Sequence, residues 1–209
     1  MNEPLTIALP TGRLGQQTIT FLQKAKIISS LDTNSRKLKI VDQEQNITYL
    51  FIKPTDIATY VEKGVADLGI VGKDTLLEQN KQVYELLPLG IGQCIIAIAG
   101  FKNTILKPSK ETLIVASKYP NITKTYFKSI NQPIQTIYLN GSVELAPLMG
   151  LSDVIVDIVE TGSTLKANNL AVLETVMTVE ATLIASKTNY QFKYERIIQL
   201  LSKMKEALL

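Results

Sequence analysis

GLSDVIVDIVETGSTLKANN, residues 150–169, is the stretch on which the fold turns. The apolar run Val154 to Val159 has the length and β-branched content of a buried strand. Gly150 closes a helix before it, and Asp153 stands at its entry. Behind it, Thr161-Gly162-Ser163-Thr164 leads into a short helix over 162–168. An earlier segment, GVADL at 64–68, repeats the plan. There Gly64 closes a helix, Asp67 precedes the strand Leu68 to Val71, and Gly72-Lys73-Asp74 turns into the next helix. The echo predicts two similar α/β lobes with a cleft between them.

Working outward, strand and helix patterns alternate. Leu5 to Leu9 reads as a strand and Leu14 to Lys26 as an amphipathic helix. The segment 38–51 reads as a hairpin turning over Asp42 to Asn46. Pro54 to Lys63 is a helix with Pro at its start and Gly64 past its end. Strands follow at 84–87, 94–99, 113–116 and 134–139, with a helix over 121–130 and a short one over 144–149. Residues 170–185 read as continuously extended, and 189–208 as one amphipathic helix packing back on the first lobe. This alternation predicts an α/β fold with mostly parallel sheets. Lobe 1 takes residues 1–91 plus 176–209, and lobe 2 residues 92–175.

Composition removes several chemistries. The 209 residues include no histidine and one cysteine, Cys94. Histidine-based triads, imidazole acid–base catalysis and soft-metal sites are therefore out of reach, and any metal should be a hard cation such as Mg²⁺. Cys94 sits in an apolar run and reads as a buried small hydrophobe. The net charge of +3, without a dense basic block, gives no nucleic-acid footprint. No run is long and apolar enough to span a membrane, and the N-terminus lacks a signal-peptide pattern. A cytoplasmic protein is expected.

Ligands of open α/β sheets bind beyond the carboxyl ends of the strands. Three turns stand there. Pro10-Thr11-Gly12-Arg13 combines a close-approach glycine with a guanidinium fork suited to phosphate. Gly72-Lys73-Asp74 pairs a cation with an acid. Thr161-Gly162-Ser163-Thr164 offers helix-start amides and three hydroxyls as a phosphate cradle, with Asp157 able to reach sugar hydroxyls or a metal. Each turn also fits plain helix capping. A fourth, Asn140 to Glu144, fits a capping motif or a cleft-facing Glu144. Arg36, Lys37 and Lys53 are cations near strand ends. No Walker loop is present. Anion-facing turns without a nucleophile suit transfer by positioning and charge stabilisation, or an anion-binding sensor that catalyses nothing.

Seven blocks together resemble the ATP phosphoribosyltransferase family: ALPTGRL (8–14), NSRKL (34–38), KPTDI (53–57), ADLGIVGKD (66–74), KYPNI (118–122), NGSVELAPLMGLSD (140–153) and DIVETGSTLKANNL (157–170). The resemblance implies a two-lobed fold similar to type II periplasmic binding proteins. It implies transfer of phosphoribosyl from phosphoribosyl pyrophosphate to N1 of ATP with release of pyrophosphate, aided by Mg²⁺ held through substrate phosphates. It implies that Thr161, Gly162, Ser163 and Thr164 hold the ribose 5-phosphate, that Asp157 lies by the ribose, and that Glu144 lines the same pocket. Gly12, Lys73 and Asp74 would bind substrate, and Arg13, Arg36 and Lys53 would meet the triphosphate or pyrophosphate. Two positions depart from the pattern: Thr11 stands where Lys is common, and Lys53 where Arg is common. Lys cannot reproduce a guanidinium fork. The chain's length resembles the short form of the family, a homodimer expected to work with a regulatory subunit similar to histidyl-tRNA synthetase. Apolar positions left exposed between Ile197 and Leu208 could serve docking, or pack on the lobe itself. The rival reading is a cytoplasmic two-lobed sensing module without catalysis.

Overall fold

The computed structural model describes residues 3–28, 37–104 and 111–209. In chain order the elements are β1 (Leu5–Pro10), α1 (Arg13–Lys24), β2 (Lys39–Asp42), β3 (Ile47–Ile52), α2 (Pro54–Glu62), β4 (Leu68–Gly72), α3 (Lys73–Gln79), β5 (Val83–Pro88), β6 (Cys94–Phe101), β7 (Leu113–Ser117), α4 (Pro120–Ser129), β8 (Ile134–Tyr138), α5 (Leu145–Leu148), β9 (Val154–Val159), α6 (Ser163–Ala167), β10 (Leu170–Val179), β11 (Ala181–Ser186), α7 (Lys187–Tyr190) and α8 (Tyr194–Leu208). Pro54 and Pro120 open α2 and α4, where a missing N–H costs nothing. Among the described residues no helix is long and apolar enough to cross a membrane.

The chain forms two compact units: Met1–Leu76, Asn80–Gly92 and Glu180–Leu209 in one, Leu77–Gln79 and Gln93–Val179 in the other. Unit 1 holds a sheet of order β2-β3-β1-β4-β11-β5, and unit 2 a sheet of order β10-β6-β9-β7-β8. The expectation of mostly parallel sheets needs correcting. Parallel pairing is confined to β3-β1-β4 and β8-β7-β9, and the remaining ladders are antiparallel. The helical crossovers set the parallel centre, while β11 and β6 enter against its direction.

Each sheet is covered on both faces, as buried two-sided strands require. In unit 1, Phe21 and Leu22 of α1 join Ile197, Leu201 and Met204 of α8 on one face. Ile57, Ala58 and Val61 of α2 cover the other. So α8 packs on its own unit, and its apolar side is mostly spent there. In unit 2, Ile122 and Phe127 of α4 cover one face, and Val143, Ala146 and Leu165 pack on the other.

The sequence echo is a bonding echo. The Asp67 N–H donates to the Thr6 carbonyl at 2.8 Å, and its carboxylate accepts the Thr6 N–H at 2.7 Å. The Asp153 N–H donates to the Ile114 carbonyl at 2.9 Å, and its carboxylate accepts the Ile114 N–H at 2.7 Å. Both aspartates therefore clamp the entry of the central strand, β1 or β7. Gly64 and Gly150 ahead of them have φ of 71° and 68°, a left-handed helix end that suits glycine.

Three expectations change. The extended run 170–185 is broken at Glu180, with β10 in the second sheet and β11 in the first. Glu180 is held there: its carbonyl accepts the Lys73 N–H at 2.9 Å and its carboxylate the Gly90 N–H at 2.8 Å. The expected single helix over 189–208 is two, α7 and α8, because Asn189 and Lys193 both turn toward Asp67. Cys94 is half-buried rather than buried.

Candidate active site

The second unit builds a pocket from β9 outward. Side chains alternate along a strand, so Asp157 shares the face of Ile155 and Val159. That face borders Ala97 and Ala99 of β6, with Ala97 paired directly to Asp157. Two alanines leave a cavity of about 240 Å³ over the carboxylate. Glu144, Asp157, Thr161, Gly162, Ser163 and Thr164 all line it. The six residues expected to serve one ligand thus share one space.

The turn before α6 differs from a plainly capped helix start. Gly162 occupies the position before α6 with φ 68° and ψ 7°, a left-handed conformation that favours glycine. No side chain caps α6. The Thr161 and Ser163 hydroxyls lie 2.9 Å apart, and the Ser163 N–H reaches Thr161 Oγ1 only at 3.4 Å. Exposed hydroxyls and uncapped first-turn amides are the donors an anion requires. The capping motif expected at Asn140 to Glu144 is absent, since Glu144 makes no side-chain cap and the Leu145 N–H bonds the Ser142 carbonyl instead.

Asp157 is the electrostatic centre. Burial raises its pKa above the usual carboxylate range, and the negative charge of Glu144 adds to that rise. The Ile158 N–H, donating to Asp157 Oδ1 at 2.8 Å, and the positive charge of Lys118 oppose it. A carboxylate held against its own burial is what a site awaiting a positive partner looks like.

The first unit gathers a second set at the carboxyl edge of β3-β1-β4. Register pairs Pro10 with Ile52, and the Thr11 N–H donates to the Ile52 carbonyl at 2.9 Å. Thr11-Gly12-Arg13 and Lys53 are therefore neighbours at two adjacent strand ends. Arg13 opens α1, Lys53 precedes α2, and both are exposed. Gly72-Lys73-Asp74 follows β4 on the other side of β1. The Lys73 ammonium is engaged with Glu85 in an ion pair. Asp74 lies in the first turn of α3, its carboxylate against Gly72 and favourable to the helix dipole. Arg36 lies outside the described residues. Its described neighbour Leu38 accepts the Phe51 N–H at 2.8 Å.

Two residues escaped the sequence reading. Lys118 stands in the turn after β7, beside β9, inside the KYPNI block but with no pattern marking it as a ligand. Gly15 is the other: a Cβ there would meet the Pro10 carbonyl oxygen at 2.1 Å. That contact is backbone and cannot be relieved by a rotamer. Gly15→Ala should cost about 3 kcal/mol, roughly 6–12 °C in Tm, measured by thermal unfolding. An unchanged Tm would show that the β1–α1 turn can open.

Comparison with known proteins places the whole chain in a family. The profile of the ATP phosphoribosyltransferase family matches residues 53–206. The ATP phosphoribosyltransferase of Clostridioides difficile is 52% identical over 202 residues, 97% of each chain. A chain of the ATP phosphoribosyl transferase (HisG:HisZ) complex from Thermotoga maritima superposes with a TM-score of 0.82 at 33% identity, over 98% of both chains. The periplasmic aliphatic sulphonate binding protein SsuA from Escherichia coli shares the fold, with a TM-score of 0.62 at 15% identity, over all of this chain and 69% of that one. The chain belongs to the ATP phosphoribosyltransferase family, whose reaction is the first step of histidine biosynthesis.

Proposed function

We propose that the pocket over Asp157 is where phosphoribosyl pyrophosphate is held while its anomeric carbon is attacked by N1 of ATP. The observation that carries this reading is the shared cavity of Glu144, Asp157 and the uncapped Thr161–Thr164 turn. Thr161, Ser163 and Thr164 hydroxyls and the α6 amides take the 5-phosphate. Asp157 and Glu144 take the ribose hydroxyls. As the carbon–oxygen bond to pyrophosphate breaks and the bond to N1 forms, positive charge grows on the sugar and faces the Asp157 carboxylate. Neutral adenine N1 carries its own lone pair, so no general base is needed, in keeping with a chain that has no histidine. Gly12, Lys73 and Asp74 bind substrate on this reading, and Arg13, Arg36 and Lys53 serve the triphosphate and pyrophosphate. Lys53 does so as a point charge, without a guanidinium fork.

The family works with a divalent cation, and we take it to be Mg²⁺. Among the described residues no cluster of three acidic or thiol groups could hold a metal. Two hard-oxygen donors, Asp157 and Glu144, face the pocket, which fits an ion whose other ligands are substrate phosphates and water. When bound, the ion supplies neutralising charge to the leaving pyrophosphate. We further propose a cytoplasmic homodimer that joins a regulatory subunit similar to histidyl-tRNA synthetase. What supports the partner is the Thermotoga relative, solved as a complex.

The test is pyrophosphate release from the purified chain with Mg²⁺, phosphoribosyl pyrophosphate and each purine nucleotide in turn. Release with ATP is expected, and Thr161→Val should lower kcat/KM about 10²-fold with Tm retained. Release that Thr161→Val leaves intact would remove the phosphate role of this turn. Donor binding without turnover, even with the regulatory subunit added, would favour the sensing module.

A further inference from the structure

The pocket over Asp157 has an unbalanced lining. It contains three carboxylates, Glu144, Asp157 and Glu160, and no lysine or arginine. A phosphorylated sugar brought there meets negative charge, and hydroxyls with helix amides answer only part of it. Among the described residues, the cation whose charge acts on Asp157 comes from the neighbouring strand end, Lys118.

Its placement is fixed by backbone. β7 runs parallel to β9 with Ser117 opposite Val156, so the next residue, Lys118, comes alongside Asp157. Ser117 is fully buried; its hydroxyl donates to the Val156 carbonyl at 2.6 Å and accepts the Tyr119 N–H at 2.8 Å. The turn is thereby tied to β9 through Ser117, and the Tyr119 N–H closes back on the same hydroxyl across Lys118. Tyr119 packs into the core against α4, leaving Lys118 exposed. Among the described residues the Lys118 ammonium makes no ion pair or hydrogen bond. The two-fold echo gives the position further meaning. Aligning Thr6 with Ile114, the strand-entry residues clamped by Asp67 and Asp153, puts Lys118 at the turn that in the first unit leads to Arg13. Both units then present a cation after their central strand.

We propose that Lys118 is the cation of the ribosyl-phosphate pocket, contacting a phosphate oxygen of the phosphoribosyl donor beside Asp157. This rests on the reading of the pocket given above. Lys118 serves the donor and not the nucleotide.

The experiment is equilibrium binding of ribose 5-phosphate to the full chain by calorimetry, with KM for phosphoribosyl pyrophosphate and for ATP measured in parallel. Lys118→Met should weaken ribose 5-phosphate about ten-fold or more and raise the donor KM similarly, with the KM for ATP unchanged. Lys118→Arg should recover most of the loss, and both variants should keep the parental Tm because the side chain is exposed. If Lys118→Met binds ribose 5-phosphate like the parent while Thr161→Val does not, the pocket stands and Lys118 is not its cation. If neither substitution changes binding, the pocket itself is misassigned and the proposal falls with it.

Discussion

The Asp157→Asn variant is expected to lose about 10²–10³-fold in kcat and yet to melt above the parent near neutral pH. The two effects share a cause. Asp157 is half-buried beside Ala97 of β6, and that partial burial with the Glu144 charge raises its pKa. For a carboxyl whose folded pKa lies above its unfolded one, the folded state is penalised once the group ionises. The penalty is absent below the unfolded pKa of about 4 and complete above the folded value. The amide removes it, so the Tm gain of Asp157→Asn should be largest near neutral pH and close as pH falls toward about 4. On the proposed reading, the charge that costs stability is the one that faces the developing cation on the sugar. Thermal unfolding across pH, run beside turnover, checks both halves. A variant less stable than the parent at neutral pH would mean that Asp157 is a structural acceptor and not a site residue.

Asp67→Asn is expected to cost about 3–5 kcal/mol, well beyond an ordinary surface change. Asp67 is 2% exposed and accepts from three directions. The Thr6 N–H reaches it at 2.7 Å, Asn189 Nδ2 at 2.7 Å and Lys193 Nζ at 2.8 Å. Lys193 also donates to the Pro4 carbonyl at 2.8 Å, and Asn189 to the Gly64 carbonyl at 3.0 Å. One carboxylate therefore ties the first strand, the helix end before it in space and the C-terminal α7–α8 corner. An amide would turn a donor toward donors and leave the Lys193 charge, 23% exposed, without its counterion. Asp153→Asn should cost less, about 1–2 kcal/mol, because among the described residues its carboxylate accepts from the Ile114 N–H alone. Chemical denaturation of both variants tests the ordering. Equal losses would show that the α7–α8 corner contributes nothing through Asp67.

The echo GVADL/GLSDV was readable because strand entry is a local problem: a helix end, a glycine, an aspartate and an apolar run lie within about five residues. The turns at the strand ends were readable for the same reason, since each is a few consecutive residues between an apolar run and a helix. Gly15 was not, because its constraint is a distance to the Pro10 oxygen across a turn. Nor was Lys118, which acquires a role only when β7 is laid beside β9. The break between α7 and α8 hid behind an amphipathic pattern that runs through it. Asn189 and Lys193 are pulled to an aspartate more than a hundred residues earlier.

By itself, then, the sequence determined the α/β class, the doubled plan and the turn after β9 with its acid and hydroxyls, because these follow from periodicity and contiguous motifs. Tertiary structure alone decided strand direction within each sheet, the emptiness over Asp157 left by Ala97 and Ala99, the ion pair that engages Lys73, and the cation set beside the pocket. Those depend on which strands become neighbours. Pairing joins residues far apart in sequence, and no local pattern encodes what a side chain will meet across a sheet.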